Sequence, residues 1–259
     1  MTPSIYLQLL RNLADEAALL TSRANVPICL KTIRKTLGVA IELTDSLAHP
    51  AVAINALNSR KILFPRQLLK SRPITFCRFL VAHEIGHIVL ERLGVNFPVS
   101  RKEYWAHEDL CDDFARHLLI PDRYLHLISN SPESAEIAVG NMSRLAINCS
   151  VNPAVSAFRL ARSNPKLVFA RVGRHNAKMR IVFNTFQTGE ANGRHQRLGY
   201  RRTVETRDPL IAWLSGGCDS HDGLRAQITS LILSEGESIN SICKRSVGKS
   251  CWDVALLLK

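Results

Sequence analysis

The chain has 259 residues, 46% hydrophobic and 22% charged, which is enough to bury a core and unlike a disordered composition. Its formal net charge is +12, shared unevenly: residues 1–161 hold 18 Lys/Arg against 14 Asp/Glu, residues 162–259 hold 16 against 8. No stretch approaches the ~18 uncharged apolar residues of a membrane helix, so an integral helical membrane protein is set aside.

The opening segment, MTPSIYLQLLRNLADEAALL, has no basic stretch before its apolar residues and meets Asp15 and Glu16 early. It reads as an amphipathic helix and not a signal peptide, with Leu7, Leu10, Leu13, Ala17 and Leu20 at helical spacing, and the cytosol is the expected compartment. A second helix is expected from Pro27 to Leu37, closed by Gly38. Residues 39–45 and 51–56 have strand character. AVAINALNSRKILFPR reads as a hairpin turning at Asn58-Ser59-Arg60. A long helix follows, with Ser71 as its N-cap, Pro73 in its first turn and Leu93-Gly94 at its far end. A loop over 95–104 should lead to a helix over 105–119, stopped by Pro121.

Two or three shorter helices are expected between 123 and 163. MSRLAINCSVNPAVSAFRLAR has a helix–turn–helix rhythm around Ser150-Val151-Asn152. From Lys166 the texture changes: KLVFARV and MRIVFNTF look like strands, RLGYRRTVETRD reads as a further strand, and 186–196 as a loop. DPLIAWLSGG and RAQITSLILS suit helix or strand equally. The expected domains are therefore 1–127, a helix–turn–helix-like segment 128–163, and a basic, mixed α/β C-terminal domain 164–259.

Seven cysteines (Cys29, Cys77, Cys111, Cys149, Cys218, Cys243, Cys251) are scattered and form no CxxC pair. Most of them point to small buried hydrophobes in a reducing compartment, and their spacing does not support a thiolate metal site.

The chemistry sits in Arg78-Phe-Leu-Val-Ala-His83-Glu84-Ile-Gly-His87-Ile-Val-Leu90, an HExxH sequence. On a helix, His83 and His87 differ by about 40° and lie one turn apart, so both imidazoles reach one ion. Glu84 lies between them in angle, placed to take a proton from a water whose pKa zinc lowers towards about 7. Phe79, Val81, Ala82, Ile85, Val89 and Leu90 make this helix apolar around most of its circumference. It should be buried, and its polar side chains then need partners. A site of this type requires a third protein ligand. The next helix offers Glu108, 21 residues after His87, with Asp112 one turn further on the same face. His107, Asp109, Asp112 and Asp113 are the other candidates. Asp112 also suits the role of orienting a ligating imidazole.

At these residues the sequence resembles the ImmA/IrrE family of zinc metallopeptidases, which pair an RFxxAHExGH helix with a downstream ExxANxFAxxLLMP helix. Here the two read RFLVAHEIGH and EDLCDDFARHLLIP, with Cys111 for Ala, Asp112 for Asn and Ile120 for Met. The Glu108–Asp112 arrangement also looks like the ligand helix of gluzincin peptidases. The resemblance spans roughly 25–160. It implies an α+β fold: a mostly helical zincin-like core with a small antiparallel sheet, then the helix–turn–helix-like segment and the C-terminal domain. It further implies His83, His87 and Glu108 as zinc ligands, Glu84 as general base, and cleavage of a partner helix–turn–helix repressor in regulated proteolysis. By analogy with longer members, the C-terminal third would be a GAF-like sensor. Such a donor set also suits manganese or iron(II).

Amide hydrolysis needs one more donor for the developing oxyanion; Tyr104, His107, His117 and Tyr124 are the candidates. A competing reading makes the chain an inactive zinc-containing regulatory module. Its basic C-terminal region would bind nucleic acid through Arg194, Arg197, Arg201 and Arg202, beside Tyr200. A third reading is protein–protein interaction alone, as a toxin–antitoxin component or a sequestering partner.

Overall fold

The computed structural model describes residues 3–21, 26–56, 59–95, 98–128, 134–164, 166–175, 178–184, 203–204, 239–248 and 251–258. The fold is α+β and divides into two compact units: Met1–Leu127 with Leu145–Ser156, and Ile128–Arg144 with Ala157–Lys259.

The first unit begins with α1 (Pro3–Thr21), α2 (Leu30–Thr36), β1 (Val39–Thr44), β2 (Val52–Ala56) and β3 (Ser59–Pro65). Gly38 closes α2 in the left-handed region at φ +66, the conformation expected of a helix-terminating glycine. The sheet has the order β1-β3-β2. β2 and β3 form the expected antiparallel hairpin, but Ala56 pairs with Ser59, so Ser59 and Arg60 belong to the strand and not to the turn. β1 pairs with β3 in parallel, from Val39↔Arg60 to Thr44↔Pro65, which makes the sheet mixed instead of wholly antiparallel. The hairpin swings its second strand into the centre, and β3 then runs in the direction of β1.

Next come α3 (Arg66–Ser71), α4 (Ile74–Arg92), α5 (Arg101–Leu119) and α6 (Asp122–Ile128). Ser71 ends α3 and does not cap α4; its hydroxyl donates to the Gln67 carbonyl at 2.8 Å. Proline forces its predecessor out of the helical region, so Arg72 is extended (φ −121, ψ 148) and α4 starts only after Pro73. Helix α5 begins one turn earlier than expected. Ser100 caps it and Glu103 returns the bond to the Ser100 backbone, a capping box written in the sequence as S-x-x-E.

Helix α4 is buried over Ala82–Gly86 and Ile88–Leu90, as its apolar circumference requires. It packs against α5 and the β2–β3 hairpin, and α1 packs against α5. Ile62, Phe64, Ile85, Ile88, Leu90, Phe114 and Leu118 are almost wholly buried, each worth about 1.5–3 kcal/mol of transfer free energy. Arg78 ties the start of α4 to distant backbone, donating to the carbonyls of Ile28 (3.0 Å) and Ser150 (3.2 Å).

At Gly86 α4 packs closely on α5: a Cβ there would lie 3.2 Å from both Cys111 Cα and Phe114 Cδ1. Gly86→Val should cost about 1–3 kcal/mol by overpacking, read as a lower denaturation midpoint at unchanged denaturant dependence. A variant as stable as wild type would show that the helices separate without penalty.

Helices α7 (Ala135–Cys149) and α8 (Pro153–Ser163) meet at the expected turn, where Ser150 takes φ 50 and the Asn152 side chain accepts from Ala154 N at 2.9 Å. In the second unit, β4 (Leu167–His175), β5 (Lys178–Asn184), β6 (Thr203–Val204), β7 (Ile239–Gly248) and β8 (Cys251–Leu258) form a five-stranded sheet ordered β6-β5-β4-β8-β7. All its pairings are antiparallel. Strands β4 and β5 fall where the sequence places them. Residues 208–217 and 225–234, which suit helix or strand, lie outside the described residues, as do Arg194, Arg197, Arg201 and Arg202.

Candidate metal centre

Helices α4 and α5 carry the site between them, and their close approach at Gly86 brings the two halves together. The Nε2 atoms of His83 and His87 are 3.1 Å apart. Glu108 reaches both rings, with Oε2 3.3 Å from His83 Nε2 and Oε1 3.5 Å from His87 Nε2. Two nitrogens bound to one zinc at about 2.0–2.1 Å, with a near-tetrahedral angle between them, would themselves lie about 3.3 Å apart. The separations between these three donors are of the size that ligands of one divalent ion have.

Each imidazole is held on its far side. Asp112 Oδ1 lies 2.9 Å from His83 Nδ1, and Arg116 fixes the same carboxylate through Oδ2 at 2.8 Å. With Nδ1–H donated to Asp112, His83 keeps its Nε2 lone pair for the shared point. Cys111 Sγ lies 3.2 Å from His87 Nδ1, and when that nitrogen carries the ring hydrogen the sulfur accepts it and leaves Nε2 free. Burial first, and then the neighbouring carboxylates, raises the Cys111 thiol far above its usual range, so it serves as a neutral neighbour.

Glu84 is 6% exposed, and its Oε2 accepts the backbone N–H of Ala53 on β2 at 2.7 Å. Burial raises its carboxyl above the ordinary range, partly opposed by His83 and by the Ala53 bond. One oxygen is thus anchored, leaving the other to exchange a proton. Burial alone would depress His83, but its bonds to Asp112 and Glu108 push it up to about 9. Burial and the charge of His83 together push His87 down to about 4. Burial would raise Glu108, yet its bond to His83 and the charges of both rings hold it below its usual value. Without a metal the centre is a protonated His83 clamped by carboxylates beside a neutral His87.

Besides the set with Glu108, two groups of described side chains lie close enough together to hold a metal ion: His83, Glu84 and His87, and His87, His107 and Cys111. Of the carboxylates near the histidine pair, Glu108 lies within 3.5 Å of both Nε2 atoms, whereas one oxygen of Glu84 is bonded to the Ala53 N–H.

The centre lines a cleft of about 510 Å³ whose walls include His49, Val52, Ala53, Asn55, Tyr104 and His107. Burial and the charge of the Glu108 carboxylate raise the Tyr104 hydroxyl. The His107 ring stacks on His87 at 5.1 Å between centroids and 19° between planes. His117 and Tyr124, also candidate oxyanion donors, do not line the cleft. His117 lies nine residues beyond Glu108, about 180° around α5, where its Nδ1–H donates to the Asp113 carbonyl at 2.8 Å. Tyr124 is buried with the Arg123 guanidinium over its ring. Asp113 pairs with Arg11 of α1 at 3.1 Å, outside the cleft.

Three contributors escape a reading by sequence. The Ala53 N–H is backbone and carries no residue signature. His49 sits in the segment before β2 with no motif around it. Cys111 is three residues beyond Glu108 on the same face of α5, and that spacing is a signal that could have marked it.

Because His83 holds a proton up to about pH 9, a metal must displace it. Apparent zinc affinity should rise about tenfold per pH unit from pH 6.5 towards 9 and level off above, as measured by competition with a chelator of known affinity. The same shift makes the metal-free protein lose stability over that window: a raised histidine pKa stabilises fully below 6.5, and the contribution is gone above 9. Affinity independent of pH across this range would show that His83 is not protonated there.

No protein-family model matches the chain, and no curated protein matches it. Among solved structures it is similar to a Mycobacterium tuberculosis transcriptional regulator, at 13% identity and a TM-score of 0.49, over 98% of this chain and 75% of that one. Among the described residues, no helix is long and apolar enough to cross a membrane.

Proposed function

We propose that the protein is a zinc metallopeptidase that hydrolyses a peptide bond in a partner protein, with a helix–turn–helix repressor as the expected substrate. One observation carries the reading: His83, His87 and Glu108 converge on a single point in an open cleft, beside a buried carboxylate that is not needed to hold the ion. Zinc bound there supplies a Lewis acid that acidifies water and polarises a peptide carbonyl.

The remaining work belongs to the chain. Asp112 and Cys111 keep both Nε2 atoms unprotonated and aimed inwards once His83 has released its proton. Glu84, with Oε2 fixed by Ala53, removes a proton from the attacking water and passes it to the departing amine nitrogen. Its raised carboxyl pKa brings proton uptake and release closer to balance near neutrality. Tyr104 and His107 line the same cleft and are the candidate donors to the oxyanion. Strand β2 lines the cleft at the edge of its sheet, which supports an extended chain as substrate, because a sheet edge recognises backbone.

The test is to incubate the zinc-loaded protein with any helix–turn–helix repressor encoded beside it and to sequence any new N-termini. Defined cleavage that disappears with Glu84→Gln supports the peptidase. An intact repressor under conditions where the zinc site is full sinks this substrate assignment.

A further inference from the structure

A second concavity, of about 500 Å³, lies in the first unit between α2, β1, β3, α3 and the start of α4. On α4, its lining residues Ile74, Cys77, Arg78 and Val81 lie roughly 120–220° around the axis from His83, so it occupies the opposite side of the helix from the metal centre. Its surface is almost entirely apolar, and four of its large side chains are open to solvent: Ile74 is 66% exposed, Leu69 49%, Ile41 38% and Leu43 37%. Single exposed apolar residues are ordinary, but four meeting in one groove above buried Phe64 form a patch of the kind that marks a binding surface.

The surrounding charge has one sign. Residues 26–38 and 59–78, which contain α2, β3 and α3, hold nine Lys or Arg and no Asp or Glu. The acidic residues of the adjoining segment, Glu42 and Asp45, are paired with Lys61 (2.7 Å) and Arg66 (3.3 Å). Lys31 on α2 lines the groove and Lys70 on α3 follows its lining residue Leu69; both enter no ion pair among the described residues. Cations therefore lie in or next to two different walls of an apolar floor. A single-headed anionic lipid would engage one cluster at one end. An amphipathic helix with an apolar stripe flanked by carboxylates matches floor and walls together.

We propose that this groove docks an acidic amphipathic helix of a partner protein. The interaction uses the α4 face that the metal centre leaves free, so it does not depend on hydrolysis.

The experiment uses the full chain and a fluorescein-labelled synthetic helix with leucines at i, i+3, i+4 and i+7 and glutamates flanking them, followed by fluorescence polarisation. Saturable binding in the roughly micromolar range is expected, weakening as salt rises. Replacing the glutamates by lysines should weaken it at least about tenfold, as should Leu69→Glu or Ile74→Glu in the protein. Both sites are exposed, and Ile74 is the first residue of α4, where a carboxylate suits the helix dipole; unchanged circular dichroism and thermal midpoint verify the fold. Lys31→Glu with Lys70→Glu should lose the glutamate helix and gain the lysine one. Cys29, exposed at the groove, should react more slowly with N-ethylmaleimide when the helix is bound, measured by peptide mass mapping. Glu84→Gln and metal-free protein should bind as wild type does, which keeps this outcome separate from the peptidase reading. No saturable binding, or binding indifferent to Ile74→Glu and to charge reversal, overturns the proposal. Laurate or anionic vesicles binding in an Ile74-dependent way while the helix does not would assign the groove to lipid and overturn it equally.

Discussion

Glu84→Gln should retain one zinc per chain and lose hydrolysis by roughly 10²–10⁴-fold, the usual contribution of a positioned general base. The substitution is nearly isosteric. The glutamine carbonyl can still accept the Ala53 N–H that Glu84 Oε2 accepts at 2.7 Å, so β2 and α4 stay in register. His83, His87 and Glu108 are untouched, and metal content should match wild type. What disappears is the carboxylate proposed to take a proton from water and return it to the amine. In the wild-type protein the acid limb of the pH profile should stand above an ordinary carboxylate's range, because burial raises the Glu84 carboxyl. If the variant cleaves within about tenfold of wild type with its metal in place, Glu84 is not the base and the mechanism fails.

Glu108→Ala should lose the metal itself. Glu108 is the carboxylate within 3.5 Å of both imidazole Nε2 atoms, and its removal leaves two nitrogens to hold the ion. The loss of affinity should exceed the 10–100-fold expected for Asp112→Asn, which disturbs His83 through its far nitrogen but leaves all three ligands in place. Dialysis followed by metal analysis, with chelator competition for the affinity, ranks the three proteins. Zinc should also raise the thermal midpoint of wild type, increasing with the logarithm of free zinc once it exceeds Kd, and should have no such effect on Glu108→Ala. A Glu108→Ala protein that keeps stoichiometric zinc at wild-type affinity would remove Glu108 from the ligand set and leave Glu84, or the His107 and Cys111 pair, to supply the third donor.

Local chemistry accounts for most of what was legible in the sequence. HExxH needs only helical periodicity to place two imidazoles on one face, and the apolar residues around it state that the helix is buried. Glu108 and Asp112, one turn apart, project to one side of α5 for the same reason. Gly38 and Gly94 end their helices at φ +66 and +72 because only a residue without Cβ adopts that conformation freely. The capping box at Ser100 and Glu103 was equally readable and places the start of α5 one turn before the expected boundary.

Contacts between distant segments could not be read this way. That Glu108 reaches both rings depends on how closely α4 and α5 approach, which Gly86 permits against Cys111 and Phe114. That Glu84 has one oxygen occupied depends on an amide of β2, 31 residues away and indistinguishable in sequence from any other backbone N–H. The parallel pairing of β1 with β3, and the groove behind α4, arise from segments whose own residues predict strands and short helices but not their neighbours. Periodicity and capping act within a few residues and are therefore written along the chain. Register, approach distance and proton affinity are set by groups brought together from far apart, and only the folded molecule decides them.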